Sequence, residues 1–480
     1  MNKRLLIPLL LAALAAAPIA AASMTERLTG TIDKALAATC VDPSKTAVRV
    51  VSLPTGAPLY ERNAVEPLMP ASVQKLLVTA AALNYLGPDY RFKTTVSHTS
   101  ALANGIIEGD LYIKGGGDPK LTPESVWLMA RRLKQSGVSR VRGALVTDSS
   151  FFDALDIAPA WDNQRSQRAY DAKLGALSVS FNVVAVHILP GDRQGDPLKA
   201  ALFPESDHFE LVNNGFTGAQ RGGRLNVWRD ARDNRSRVVV SGSMPPGARE
   251  RVFYINVDDP ARFASAVFLN YLRGEGITVE HGARAGQTPP EAAPLFTHES
   301  EPLAVVLRGL NKHSNNFTAE QVAKAMAAEI TGQPGSHQAA LELIETFLRE
   351  QGVRLDGVRL ADASGLSRDN RITAAAITDL LSVMRRRFDI GPDFVASLGI
   401  MGVDGSVKDR MKGMEARAWA RAKTGTLSHV SALAGYVADP QGELYAFTII
   451  MNGVNCHYRH ADQIEDAIVS AVRGVNGASQ

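Results

Sequence analysis

Three short motifs stand in a fixed order along this chain of 480 residues: Ser72-Val-Gln-Lys75, Ser314-Asn-Asn316 and Lys423-Thr-Gly425. The first two lie 242 positions apart (72 to 314) and the last two 109 (314 to 423). Acyl transfer at a serine needs a nucleophile, a group that takes its proton, and donors for the oxyanion. Ser72 and Lys75, three apart at the expected start of a helix, fall on one face. A helix N-terminus also points free N–H groups and partial positive charge at that face. Lysine acts as a base only when neutral, a form favoured by burial and by a second cation; Lys423 could supply that cation. The long first gap means that something large is inserted into the catalytic domain.

Each motif also has a plainer reading. S-x-x-K arises by chance about once in a chain this long, with Ser72 as a helix cap and Lys75 as a solvated residue. Ser314-Asn315-Asn316 precedes a helix-like stretch, Thr318 to Glu329. It offers a hydroxyl and a carboxamide to bridge lysine and substrate, or else a polar cap. Ser180-Phe-Asn182 fits S-x-N too, but it leads into a strand-like run of the inserted region. His313 invites a Ser-His-Asp reading, yet the chain has no G-x-S-x-G elbow and no carboxylate clearly placed to orient the ring. Lys423-Thr-Gly-Thr426 lies in a strand-like segment, where Gly425 would let a substrate backbone approach and Lys423 and Thr424 could bind a carboxylate. The joint occurrence, in order and in suitable local structure, is the strong signal.

Composition bounds the rest. The N-terminus, with Lys3-Arg4, an apolar run from Leu5 to Ala22 and the triplet Ala20-Ala21-Ala22, reads as a signal peptide (1–22). An uncleaved anchor is the alternative, weakened by Pro8 and Pro18. Cleavage would take the formal charge from +3 to +1 with the loss of Lys3 and Arg4, so no nucleic-acid partner is expected. No later stretch approaches the ~20 apolar residues that span a bilayer, and no stable membrane anchor is expected. The two cysteines, Cys40 and Cys456, are open to three readings: a disulfide, which export permits, two free thiols, or a weak metal cluster with His457 and His460.

The ends of the chain share one texture. Thr46 to Leu53, the turn Pro54-Thr55-Gly56 and Ala57 to Glu61 predict a hairpin. An alanine-rich helix follows Ser72 and should stop at Gly87-Pro88. Strands are expected over Ala418 to Leu427, Val430 to Ala438 and Glu443 to Met451. A final helix follows, with Ile464, Ala467, Ile468, Ala471 and Val472 on one side. The middle reads as β-rich, with short strand-like runs punctuated by turns. Its Gly115-Gly-Gly-Asp-Pro119 lacks the G-x-x-x-x-G-K-[ST] pattern and reads as a turn. The expected division is 23–89 plus 291–480 for the catalytic domain, 90–189 plus 261–290 for a second domain, and 190–260 nested inside it.

The set S-x-x-K, S-x-N, K-T-G resembles that of the penicillin-recognising serine enzymes, DD-peptidases and class A β-lactamases. Pro70-Ala-Ser-Val-Gln-Lys-Leu76, Gly116-Gly-Asp-Pro119, Asp362-Ala-Ser-Gly-Leu-Ser-Arg368, Gly402-Val-Asp-Gly-Ser406 and Lys423-Thr-Gly-Thr-Leu427 narrow the resemblance. They are similar to the D-alanyl-D-alanine carboxypeptidase/endopeptidase family of type-4, low-molecular-mass class C penicillin-binding proteins. Departures are Val73 for a common threonine, Ala363 for a common glycine, and Val403 and Ser406 in a G-x-D-G-T-like loop.

The resemblance implies an α+β fold, an αβα sandwich around a five-stranded antiparallel sheet, interrupted by β-rich accessory domains. It implies a periplasmic serine hydrolase acting on peptidoglycan stem peptides and cross-links, with β-lactams as covalent inhibitors and with no cofactor or metal. Ser72 would form the acyl-enzyme, Lys75 take its proton, Ser314 relay a proton to the leaving amine, and Asn316 hold the substrate amide and Lys75. Lys423 and Thr424 would receive the terminal carboxylate. The backbone N–H groups of Ser72 and Thr426 would form the oxyanion hole, and Gly425 is counted among the substrate-binding residues. Asp148 and Arg368 match positions that contact the peptide side chain. Since the first and last strands of such a sheet adjoin, a Cys40–Cys456 disulfide is also implied. A β-lactamase would not need the inserted residues. A non-catalytic wall-binding protein would not need the full set of catalytic groups.

Overall fold

The computed structural model describes residues 25–475 apart from 38–39, 101, 160, 162–165, 219–222 and 233–234; the expected leader, 1–22, lies outside the described residues. The described residues form two compact units, one within Met1–Pro88, Leu307–Ser314 and Leu341–Gln480, the other within Asp89–Val306 and Asn315–Ala340. The helix Asn316–Thr331 thus groups with the second unit although it begins two residues after Ser314.

The first unit is built on one antiparallel sheet, in the order Gly399–Ile400, Ala420–Leu427, Val430–Ala438, Leu444–Asn452, Thr46–Ser52, Pro58–Arg62. Five strands are full-length; the sixth, Gly399–Ile400, is a two-residue edge. The first and last long strands in chain order lie side by side, Thr46 opposite Met451 and Ser52 opposite Tyr445. Thr46–Ser52 is buried at every position, as Val430–Ala438 is at all but its last. Such strands are buried on both faces because helices cover both.

On one face, Thr378 of the helix Ala374–Arg386 donates to Thr448 Oγ1 at 2.9 Å, and Tyr436 Oη donates to the Leu381 carbonyl at 2.7 Å. The other face carries the C-terminal helix Tyr458–Arg473 and a helix over 25–36. Ile464, Ile468 and Val472 join Leu28, Ile32 and Leu36 against Val48, Val50, Leu433 and Phe447 there. The hairpin turns at Gly56, where φ is +72°, a conformation glycine adopts without strain. Cys40, ahead of the first strand, is disulfide-bonded to Cys456, just past the last, with Cα atoms 5.3 Å apart.

The second unit contains four smaller sheets among the described residues. Its five-stranded sheet runs Ala283–Ala285, Leu145–Asp148, Leu111–Gly115, Lys93–His98, Ala293–Glu299. Two three-stranded sheets hold most of 183–256. The texture is less purely β than the sequence reading has it. The helices Pro123–Gln135 and Pro260–Gly274 are each capped by a side chain (Thr122 and Asp259) with proline in the first turn. Their apolar faces, Val126, Met129 and Leu133 with Phe263, Val267 and Phe268, enter one core with Leu111, Ile113 and Leu145. Gly115-Gly-Gly is a close-packed bend: a Cβ at Gly115 would sit 2.3 Å from the Ala176 carbonyl oxygen, and one at Gly117 2.6 Å from the Phe152 ring. Among the described residues no helix is long and apolar enough to cross a membrane.

Candidate active site

Ser72 lies in a 3₁₀ turn, Ala71–Gln74, that runs directly into the helix Lys75–Leu86. The regular α-helix begins at Lys75, one turn later than the sequence spacing suggests, and Ala71 enters the turn with φ +47°. This 3₁₀ geometry still puts the two side chains on one face. Lys75 Nζ donates to Ser72 Oγ at 2.9 Å. Lys75 is fully buried, so the solvated-helix reading of this residue does not hold. The same Nζ donates to the Ser364 carbonyl at 2.5 Å.

The strand Ala420–Leu427 packs against the Ser72 turn, and Gly425 makes that approach possible. A Cβ there would lie 2.8 Å from the Pro70 carbonyl oxygen and 3.0 Å from the Ser72 amide nitrogen. From this strand Lys423, fully buried, donates to Ser314 Oγ at 2.8 Å and to the Thr424 carbonyl at 2.7 Å. Thr424 Oγ1 shares a hydrogen bond with Ser406 Oγ at 2.8 Å, and Thr426, opposite Ser431 beside the hairpin turn, is exposed. Ser314 holds φ +55° between the helices Leu303–His313 and Asn316–Thr331, so its side chain leaves neither helix in register. Ser314 Oγ accepts from Lys423, whereas His313 is exposed.

Burial first, and the nearby charge of Lys75 second, push the Lys423 ammonium well below the ordinary lysine value of 10.5. The sequence reading expects Lys423 to depress Lys75. Here it is the charge of Lys75 that adds to burial in depressing Lys423.

The remaining site residues are distributed as follows. In the second unit, Asn315 caps the helix Asn316–Thr331 by accepting from Thr318 N at 2.9 Å. Asn316 Nδ2 donates to the Tyr170 carbonyl at 3.3 Å. Also there, Asp148 is fully buried. Burial raises its pKa, but hydrogen bonds from Ser150 and Thr288 outweigh that and leave it lowered. Its two oxygens accept from the Ser150 and Thr288 amides at 2.9 and 2.7 Å, so this carboxylate already braces two loops. In the first unit, Arg368 is exposed and reaches the Ser428 carbonyl at 3.3 Å. Sequence reasoning gave no role to Gln74 or to any residue of the loop 362–370 but Arg368, although that loop touches Lys75 directly. The signal was an Asp-x-Ser-Gly turn pattern.

A serine beside a buried lysine, and a second lysine on a strand against it, set on an antiparallel sheet between helices, define the class of serine acyl-transfer hydrolases. The chain belongs to the D-Ala-D-Ala carboxypeptidase 3 (S13) family, which it matches over residues 28–474. It is a serine-type D-Ala-D-Ala carboxypeptidase, a hydrolase. It is 36% identical over 465 residues to the D-alanyl-D-alanine carboxypeptidase of an Actinomadura species, covering 93% of this chain and 86% of that one. To the D-alanyl-D-alanine carboxypeptidase DacB of Haemophilus influenzae it is 25% identical, covering 80% and 81%. The fold matches the crystal structure of penicillin binding protein 4 from Haemophilus influenzae with a TM-score of 0.79 at 23% identity, over 92% of this chain and 99% of that one.

Proposed function

We propose that this carboxypeptidase works on peptidoglycan stem peptides through an acyl-enzyme on Ser72, and that it also cleaves D,D-cross-links as an endopeptidase. Ser72 Oγ attacks the carbonyl carbon of the penultimate D-alanine while Lys75 Nζ takes its proton. The oxyanion forms against the amides of Ser72 and Thr426, beside Gly425. Ser314 passes a proton to the departing amine as the C–N bond breaks, Asn316 holds the substrate amide, and Lys423 with Thr424 receives the terminal carboxylate. Water then hydrolyses the ester, returning the serine hydroxyl. Arg368 and Asp148 are the further positions proposed to contact the peptide side chain.

The observation that carries this reading is the pair of short contacts, Lys75 to Ser72 at 2.9 Å and Lys423 to Ser314 at 2.8 Å. They give the nucleophile a proton acceptor and the S-x-N serine a donor. β-Lactams are proposed as covalent inhibitors of the same serine; a Haemophilus influenzae relative has been solved complexed with a β-lactam. Endopeptidase action is consistent with fold similarity to a predatory peptidoglycan endopeptidase of Bdellovibrio bacteriovorus, TM-score 0.53 at 15% identity. The leader-like 1–22 and the disulfide support export to the periplasm. The accessory regions are proposed as 90–189 plus 261–290, with 190–260 nested, and no cofactor is required.

The test is product analysis on a pentapeptide ending in D-Ala-D-Ala and on a purified cross-linked muropeptide. One D-alanine per pentapeptide, and monomers from the dimer, are expected from the wild type and not from Ser72→Ala. Equal release by the variant would refute the reading.

A further inference from the structure

The loop 362–370 is organised by one fully buried carboxylate, Asp362. Its Oδ1 accepts from the Gly365 amide at 2.6 Å and from Asn370 Nδ2 at 3.0 Å. Its Oδ2 accepts from the Ser367 amide at 2.7 Å and from Ser364 Oγ at 3.2 Å. These four donors, with Gln74 Nε2 as a fifth on Oδ1 at 3.5 Å, fix the turn Asp362–Ser367 as a unit, because a bond to a carboxylate is stronger than one to a neutral acceptor.

Two features tie this turn to the nucleophile. Gly365, at φ +80°, lies so close to the Ala71 carbonyl oxygen that a Cβ would meet it at 2.0 Å. From the other side Gln74, inside the S-x-x-K motif, donates its amide to the Asp362 carbonyl and, at 2.9 Å, to Asn370 Oδ1. Asn370 Oδ1 in turn accepts from Ala361 N at 2.7 Å. The result is a carbonyl, that of Ser364, aimed at Lys75 Nζ at 2.5 Å.

We propose that Asp362 is a positioning residue for acylation: it holds the Ser364 carbonyl on Lys75 and, through Gln74 and Asn370, locks the turn that carries Ser72. Lys75 has three rotatable donors on a flexible stem. With one N–H anchored on Ser364, the nitrogen is kept facing Ser72 Oγ. Asp362 touches neither the serine nor the acyl group, so its contribution is to geometry, where a displacement of 1 Å is worth orders of magnitude in rate. This inference rests on the reading of Ser72 as the acylated residue.

The experiment is single-turnover acylation of the purified full chain by a fluorescent penicillin, with Asp362→Asn alongside the wild type. The asparagine is isosteric, but it turns an NH2 toward an amide or hydroxyl that must donate. Loss of overall fold removes competent molecules and lowers the amplitude of labelling. Loss of positioning lowers the rate constant at full amplitude. The expected result is a rate constant down roughly tenfold or more, with the amplitude and the concentration for half-saturation unchanged. Should Asp362→Asn not fold, Gln74→Met cuts the same tie with the carboxylate intact and is expected to slow the rate constant in the same way. A rate constant equal to wild type in the folded variants, or a loss confined to amplitude, overturns the proposal. Absence of labelling in the wild type itself refutes instead the reading of Ser72 on which it rests.

Discussion

Lys423 Nζ donates to Ser314 Oγ at 2.8 Å, closing a contact between residues 109 positions apart in sequence. That bond sets a fully buried lysine beside a second lysine, an arrangement stability alone would not select. Burial and the charge of Lys75 lower the Lys423 pKa well below 10.5. The unfolded chain therefore takes up a proton at pH values where the folded protein resists it. The group's contribution to stability is complete above about 10.5 and is lost as pH falls toward the lowered folded value. Lys423→Met removes this dependence. The Tm of the variant minus that of the wild type is expected to shrink as pH rises from about 7 to about 10. A gap that widens would contradict the lowered pKa.

Gly425 is where the Lys423 strand and the Ser72 turn come closest. Gly425→Ala forces a methyl group against Pro70 O and Ser72 N. Acylation of Ser72 is expected to slow about a hundredfold, with the strand ladder retained by circular dichroism. Wild-type acylation kinetics would show that the approach is looser than described.

Asp118, in the bend after Gly117, is buried, and burial pushes its carboxyl up to about 6. A raised folded pKa gives a contribution that is present below the ordinary 3.8 and lost as pH rises through about 6. Asp118→Asn keeps an acceptor for the Lys120 amide, now 2.8 Å away. It is expected to be more stable than wild type at about pH 8, by up to about 3 kcal/mol, with the advantage gone near pH 4. Urea midpoints at the two pH values decide it. Equal midpoints at the higher pH would mean that the carboxylate is not penalised there.

Much of the first unit was legible because it rests on short-range patterns. The hairpin, the helix ending at Gly87, the strand Val430–Ala438 and the apolar side of the C-terminal helix all carry periodicity or turn chemistry within a dozen residues. The edge strand Gly399–Ile400 has too few residues to show a pattern. The helices Pro123–Gln135 and Pro260–Gly274 had their cap and proline signals in Thr122-Pro and Asp259-Pro, but the turn-rich surroundings drew the reading toward strands. The Asp362 hub was illegible for a different reason. Its turn has the local Asp-x-Ser-Gly pattern, but its bonds join Gln74 to residues 288 and 296 positions away, and contacts at that range leave no local trace.

The disulfide closes the sheet at the ends of its adjacent terminal strands. Converting both Cys40 and Cys456 to serine is expected to cost about 2–4 kcal/mol, read from urea midpoints of the oxidised wild type and the double variant. Coincident midpoints would show that the sheet is held without it.

The most direct test of Ser72 as the acylated residue is intact-protein mass spectrometry after incubation with benzylpenicillin, followed by peptide mapping. One penicilloyl adduct per chain, located on the peptide bearing Ser72 and missing from Ser72→Ala, is the expected result. An adduct that persists in Ser72→Ala, or that maps to Ser314, would contradict the assignment of the nucleophile.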